Sequence, residues 1–247
     1  MKKIVVWAVI ASYILLTLGF TYYSFIDFVP RTADILKFST IVLSFFTAVF
    51  LRKGAINRYD GTMLVTAMFL TVVTDIFLVL FGNVFRTGNQ YQMFVTGMVL
   101  YGVTMSVYFM RYQYKKPKNA AILPFFLIIP AALYFLSRNE GFFLHGDRQR
   151  TLIIVVTYYI QVLLAVIVSV IKRARSGYYP KTNRVLLLLG LGLFIIGDII
   201  VVLRNLDFFS IAFMSKLIWL FYTPSQALLA FSAYAYARDR KPPVKSA

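Results

Sequence analysis

Apolar residues run through this chain in long blocks separated by short polar connections. Eight blocks are long enough to be helices, at about 4–25, 34–51, 63–81, 93–110, 120–136, 152–171, 185–203 and 211–236. Several approach or exceed the ~18 apolar residues that mark a membrane-crossing helix. The alternating ~10-residue stretches of a transmembrane barrel do not recur. The pattern predicts an all-α fold: a polytopic transmembrane bundle of eight helices as one domain over 1–236, then a basic tail over 237–247. Pro124 and Pro130 interrupt the fifth block. Pro224 lies inside the last, a kink that neighbouring helices must accommodate. The first block follows Met-Lys-Lys but is longer than the ~7–15-residue core of a signal peptide, so it reads as a retained helix.

Composition agrees. Of 247 residues, 60% are hydrophobic, against about 45–50% in soluble domains, and the mean hydropathy is +0.75. Cysteine is absent, which excludes disulfides, thiol nucleophiles and thiolate metal sites. The single histidine, His145, sits in a connection beside Gly146 and Asp147 and reads as a loop residue, not a zinc ligand. No metal or other cofactor is expected. The net charge of +17 does not point to nucleic acid, because the basic residues lie almost entirely between the apolar blocks.

Their distribution sets an orientation. The N-terminus, segments 52–62, 111–119 and 172–184, and the tail together hold 18 Lys and Arg; segments 27–33, 82–92, 137–151 and 204–210 hold 6. Cytoplasmic connections carry the excess of Lys and Arg. Both termini are therefore expected in the cytoplasm, as an even number of spans requires. The expected location is a bacterial cytoplasmic membrane.

Orientation converts position into depth. Asp75 lies 12 residues into the third span and Asp198 lies 13 into the seventh, about 18 and 20 Å from the cytoplasmic side at ~1.5 Å per residue. Both acids fall in the outer half of a ~30 Å hydrocarbon core. Lys37 and Lys216, near the outer ends of the second and eighth spans, share that leaflet. Polar seams reinforce the convergence: Lys37, Thr40, Ser44 and Thr47 share one helical face, as do Gly97, Tyr101, Met105 and Tyr108. Thr157, Tyr158 and Gln161 form another, and Lys216, Trp219, Thr223 and Gln226 a fourth, with Tyr222 adjacent. Gly190, Gly192 and Gly197 read as points of close helix approach. Each acid at depth costs about 2.5–3.5 kcal/mol on insertion scales, so intramembrane acids mark function or a dedicated partner.

These residues also carry a resemblance. "FLTVVTDIFL" from Phe69, "FVTGMVLYGVTMSVY" from Phe94, "FIIGD" from Phe194 and "YTPSQ" from Tyr222 resemble the YhhN family of lysoplasmalogenases. That family's pattern has Lys-Pro in the second helix and Gly-Asp in the third. It has G-x3-F-x3-H-x2-Y in the fourth, F-x2-S-D in the seventh and Y-x3-Q in the last. Lys37, Asp75, Gly97, Tyr101, Tyr108, Phe194, Asp198, Tyr222 and Gln226 occupy matching positions. Met105 stands where the pattern has histidine; Phe38, Thr74 and Gly197 replace its proline, glycine and serine.

The resemblance implies hydrolysis of the vinyl ether bond of a lysophospholipid, giving a fatty aldehyde and a glycerophospho head group. Paired carboxyl groups suit that chemistry, since one acid and one base also serve oxocarbenium-like transition states in glycosidases. In this reading Asp75 and Asp198 are catalytic. Lys37 and Lys216 hold the phosphate, Tyr101, Tyr108, Tyr222 and Gln226 shape the pocket, and an apolar slot takes the chain. Two other readings stay open. One is a small-solute or lipid transporter or sensor, with the acids as a proton or ion site in a four-plus-four repeat. The other is a scaffold whose acids merely pair with Lys37 or Lys216. Oligomeric state is not legible.

Overall fold

A computed structural model describes residues 3–26, 30–85, 90–113, 126–136, 147–205 and 211–235. Eight α-helices appear among them: α1 (Lys3–Ile26), α2 (Pro30–Leu51), α3 (Arg58–Asp75), α4 (Gln90–Tyr112), α5 (Ile128–Leu136), α6 (Asp147–Arg175), α7 (Lys181–Asn205) and α8 (Ile211–Phe231). Six helices are long and apolar enough to cross a membrane, judged on the described residues. The chain is thus a multi-pass integral membrane protein. The fifth block is described as α-helix only from Ile128, with Pro130 in its first turn, where a missing N–H breaks no intrahelical bond. Pro124, His145 and the tail over 237–247 lie outside the described residues.

One departure from the predicted periodicity is local. The third block does not continue as α-helix; Ile76–Val84 forms a π-helix directly after Asp75. Its last bond runs from the Phe85 amide to the Leu80 carbonyl, at 2.8 Å, an i→i+5 link. A short, mostly apolar run cannot reveal this, because its apolar positions are compatible with either helical period.

Packing follows the apolar faces. α7 lies along α8, α4 against α3 and α6, and α2 against α1, α3 and α8, while α5 rests on α6. The core joins Ile41, Leu64, Met68, Tyr101, Val162, Leu187, Phe194 and Leu229. The outer surface carries Trp7, Leu15, Phe50, Leu164 and Leu189, all exposed. Large apolar side chains on the outside are what a lipid solvent selects. Gly190 does permit close approach, since an added Cβ would stand 3.0 Å from Leu229 Cγ. Gly192 has open space around it and Gly197 only ordinary contacts, so two of the three glycines are not tight packing points.

The α2–α3 and α6–α7 connections meet the ends of α4 and α8 at one end of the bundle. Asn57 caps α3 by accepting from the Asp60 amide at 2.8 Å, which fixes Asp60 in the first turn. Asp60 and Arg111 are fully buried, and Arg111 Nε and Nη2 donate to Asp60 Oδ1 and Oδ2, each at 3.0 Å. Tyr179, between α6 and α7, donates to the same carboxylate at 2.6 Å. Burial, and then the Asp60 carboxylate, hold the Tyr179 phenol well above its usual range, so it stays a donor. Arg111 Nη2 also reaches Ser232 at 3.3 Å, and Asn183 donates to the Ser232 and Tyr234 carbonyls. The Ala235 amide bonds the Gly54 carbonyl, and Asn57 donates to Tyr178. One buried ion pair thereby gathers the α2–α3 and α6–α7 connections and the ends of α4 and α8.

Two outcomes follow. Since the chain has no cysteine, an impermeant thiol reagent should label Ser176→Cys only from the cytoplasmic side and Arg31→Cys only from the opposite side; both sites are exposed. The reverse pattern would overturn the orientation. Arg111→Met strands the Asp60 carboxylate and should cost about 3–5 kcal/mol, read as a fall in thermal midpoint in detergent. An unchanged midpoint would mean the pair is not buried in the native membrane.

Candidate functional site

The other end of the bundle holds the two intramembrane acids. Asp75 closes α3, where the backbone widens into the π-helix, and is 3% exposed. π-Helical turns are rare and often sit at functional positions. Asp75 Oδ2 accepts from the Tyr222 hydroxyl at 3.3 Å. Tyr222 projects from α8 two residues before Pro224. On α7, Asp198 Oδ2 accepts from the Tyr159 hydroxyl of α6 at 2.5 Å. A buried carboxyl needs hydrogen bonds to offset its lost hydration, and here tyrosines supply them.

Tyr101 of α4 stands between the two carboxyl–tyrosine pairs. Its ring centroid is 5.7 Å from that of Tyr159, 6.4 Å from Tyr222 and 5.9 Å from Phe194, on which it stacks at 12°. Its side chain lies within electrostatic reach of both Asp75 and Asp198. The acids thus share one neighbourhood but do not touch face to face; an aromatic cluster separates them.

The remaining sequence candidates divide. Lys37 is buried, but its ammonium pairs with Asp34 at 3.0 Å and lies 5.7 Å above the Trp219 ring. The alternative in which Lys37 pairs with a deep acid finds no support: its ammonium is taken by the i,i+3 neighbour Asp34 on its own helix. Lys216 is partly buried on α8. Trp219 packs edge-on against Tyr222 at 5.2 Å, turning inward with its seam. Gln226, one turn beyond Tyr222, is 1% exposed and its Oε1 accepts no hydrogen bond.

Tyr108 lies deeper and bonds Met68 Sδ at 3.7 Å. With Met105, Phe194 and Leu229 it lines a cavity of ≈ 10 Å³, about the least that holds one water. Met105 therefore fills the position of the family pattern's histidine with an apolar wall. An open slot for a lipid chain does not appear at this cavity.

The α2 seam turns inward as its spacing predicts. Thr40, Ser44 and Thr47 are buried; Tyr13 of α1 donates to Ser44 at 2.9 Å, and Thr40 meets Thr223 at 3.5 Å. The α6 seam is different. Tyr158 bonds Ser106 of α4 at 3.0 Å, and Gln161 bonds its own helix at the Thr157 carbonyl. The side chain that reaches an acid is the next residue, Tyr159. Its signal was the apolar stripe Tyr159, Val162, Val166 and Val170, all buried, which marks the inward face better than the polar positions do. Among the described residues, no three of His, Asp and Glu gather as metal ligands.

Tyr159→Phe leaves Asp198 without its donor and should cost about 1–3 kcal/mol, whereas Tyr158→Phe, losing an ordinary bond to Ser106, should cost about 0.5–1.5 kcal/mol. Thermal midpoints in detergent compare the two; a larger loss at Tyr158 would contradict the assignment.

No curated protein and no solved structure matches the chain. The YhhN family matches residues 32–233, a stretch that contains Lys37, Asp75, Tyr101, Asp198, Tyr222 and Gln226. With that match covering most of its length, the chain belongs to the YhhN family.

Proposed function

We propose that this protein is a membrane-embedded hydrolase that cleaves the vinyl ether bond of a lysophospholipid. The observation that carries the reading is the pair of intramembrane carboxyl groups, the buried Asp75 and the partly buried Asp198, each held by a tyrosine hydroxyl. Membership of the YhhN family, with its resemblance to lysoplasmalogenases, supports the substrate class.

The chemistry needs one proton donor and one acceptor. A carboxylic acid protonates the vinyl carbon that is not bonded to oxygen, forming a C–H bond and leaving an oxocarbenium ion stabilised by the nearby carboxylate. Water adds to the cation and gives its proton to that carboxylate. The resulting hemiacetal collapses to a fatty aldehyde and a glycerophospho alcohol. The two carboxyl groups play the parts of general acid and general base. Lys37 and Lys216, near the outer ends of α2 and α8, are placed for a phosphate; binding would draw Lys37 from Asp34. The cavity beside Met105 is too small for the alkenyl chain, so in this reading the chain enters elsewhere.

Transport fits less well, because the Asp60–Arg111 clasp ties the α2–α3 and α6–α7 connections to the ends of α4 and α8, which an inward-opening state would have to separate. Purified protein given a lysoplasmalogen should release free aldehyde. Asp75→Asn and Asp198→Asn should each lower that rate about 10²–10⁴-fold, the usual worth of a positioned acid or base. Aldehyde release that survives both changes ends the proposal.

A further inference from the structure

The bond that holds Asp75 is loose. The Tyr222 hydroxyl stands 3.3 Å from Oδ2, outside the usual range of about 2.5–3.0 Å for an O–H···O bond. A small displacement decides whether it forms, so the backbone that carries Asp75 must be held in place. That backbone is also where α3 gives way to the π-helix Ile76–Val84. π-Helices are rare on their own, so one of 9 residues needs contacts from outside. It finds them on α2 and α4.

One of these contacts is unusually close. Leu78, three residues beyond Asp75, packs directly on the α4 backbone at Gly97. A Cβ added at Gly97 would stand 2.3 Å from Leu78 Cδ2 and 2.4 Å from its Cγ. The leucine therefore fills the space that any other residue's Cβ would need. Because Cγ itself is in the way, rotation about the Cβ–Cγ bond cannot relieve the overlap. Leu78 would have to change χ1 or take its backbone with it. Gly97 is buried and lies one turn before Tyr101 on the same face of α4. Consecutive spans run antiparallel, so a step back from Leu78 to Asp75 and a step on from Gly97 to Tyr101 reach the same level.

We propose that Leu78 and Gly97 form a peg and socket that sets the phase of the π-helix and so keeps Asp75 within hydrogen-bond reach of Tyr222. Both are positioning residues, acting on Asp75 through the backbone. Close packing carries the constraint, since a displaced peg has no void to move into without shifting its neighbours. The effect on catalysis rests on the hydrolase reading; the effect on the Asp75 hydrogen bond does not.

The test reads the infrared carboxyl band of Asp75 in the full-length protein, identified by its loss in Asp75→Asn. Tyr222→Phe marks where the band lies without its donor. Gly97→Ala leaves the leucine no room and should move the band to that position. Leu78→Ala empties the socket and should move it part of the way. In the double variant the new methyl group at 97 refills the vacated space, and the band should return toward the wild type. Gly54→Ala is the control: its Cβ would stand 2.4 Å from the Tyr234 ring at the clasp end. It should lower the thermal midpoint, as Gly97→Ala does, and leave the band in place. In aldehyde release, Gly97→Ala should lower kcat about 100-fold with KM unchanged, and Leu78→Ala in that background should recover most of it. A wild-type band in either single variant, a double variant no closer to wild type than Gly97→Ala, or an equal band shift in Gly54→Ala overturns the peg and leaves the hydrolase reading standing. Absence of aldehyde release by the wild type defeats the hydrolase reading alone, because the band shifts decide the peg without it.

Discussion

The structure depends on how it solvates carboxyl groups where water is scarce. An acid at membrane depth must find donors inside the protein or be excluded from the sequence. This chain uses two solutions at its two ends. Asp60 meets a guanidinium, with both charges fully buried and a tyrosine added. Asp75 and Asp198 meet tyrosine hydroxyls instead. A bidentate Arg–carboxylate pair is geometrically rigid and chemically quiet. A phenol stabilises a carboxyl without fixing where the proton is, which leaves the group able to react.

That contrast orders the molecule. The quiet end is a clasp, assembled from backbone caps, Asn183 and the β-bridge between Ala55 and Tyr234. It holds the helix ends so that α3, α6, α7 and α8 arrive at the far end in fixed register. The other end is built from side chains one per helix: Asp75, Tyr101, Tyr159, Asp198 and Tyr222. Aromatic stacking sets their spacing, because a ring positions its hydroxyl more firmly than a flexible chain would. The widened backbone after Asp75 adds a local change of helical phase at the acid itself.

Much of this was legible in the sequence. The block lengths revealed the helices, and the uneven Lys and Arg counts grouped the connections that the clasp gathers. The shared depth of Asp75 and Asp198 followed from residue counting alone, and Tyr101 and Tyr222 from their seams. Other features were not. The pairing of Lys37 with Asp34, its neighbour one turn away, was not foreseen. Tyr159 was passed over for Tyr158, because hydroxyl positions were read as a polar seam when the apolar stripe showed the true inward face. Asp60 and Arg111 looked like loop charges; only the fold shows that two residues 51 positions apart are buried against each other. The π-helix left no sequence signal.

The central claim is that Asp75 and Asp198 belong to one connected site. Infrared titration of the Asp198 carboxyl stretch, in the wild type and in Asp75→Asn, addresses it directly, since coupled acids titrate as a pair. One site predicts that neutralising Asp75 moves the Asp198 titration curve. Superimposable curves would show two independent acids and contradict the account.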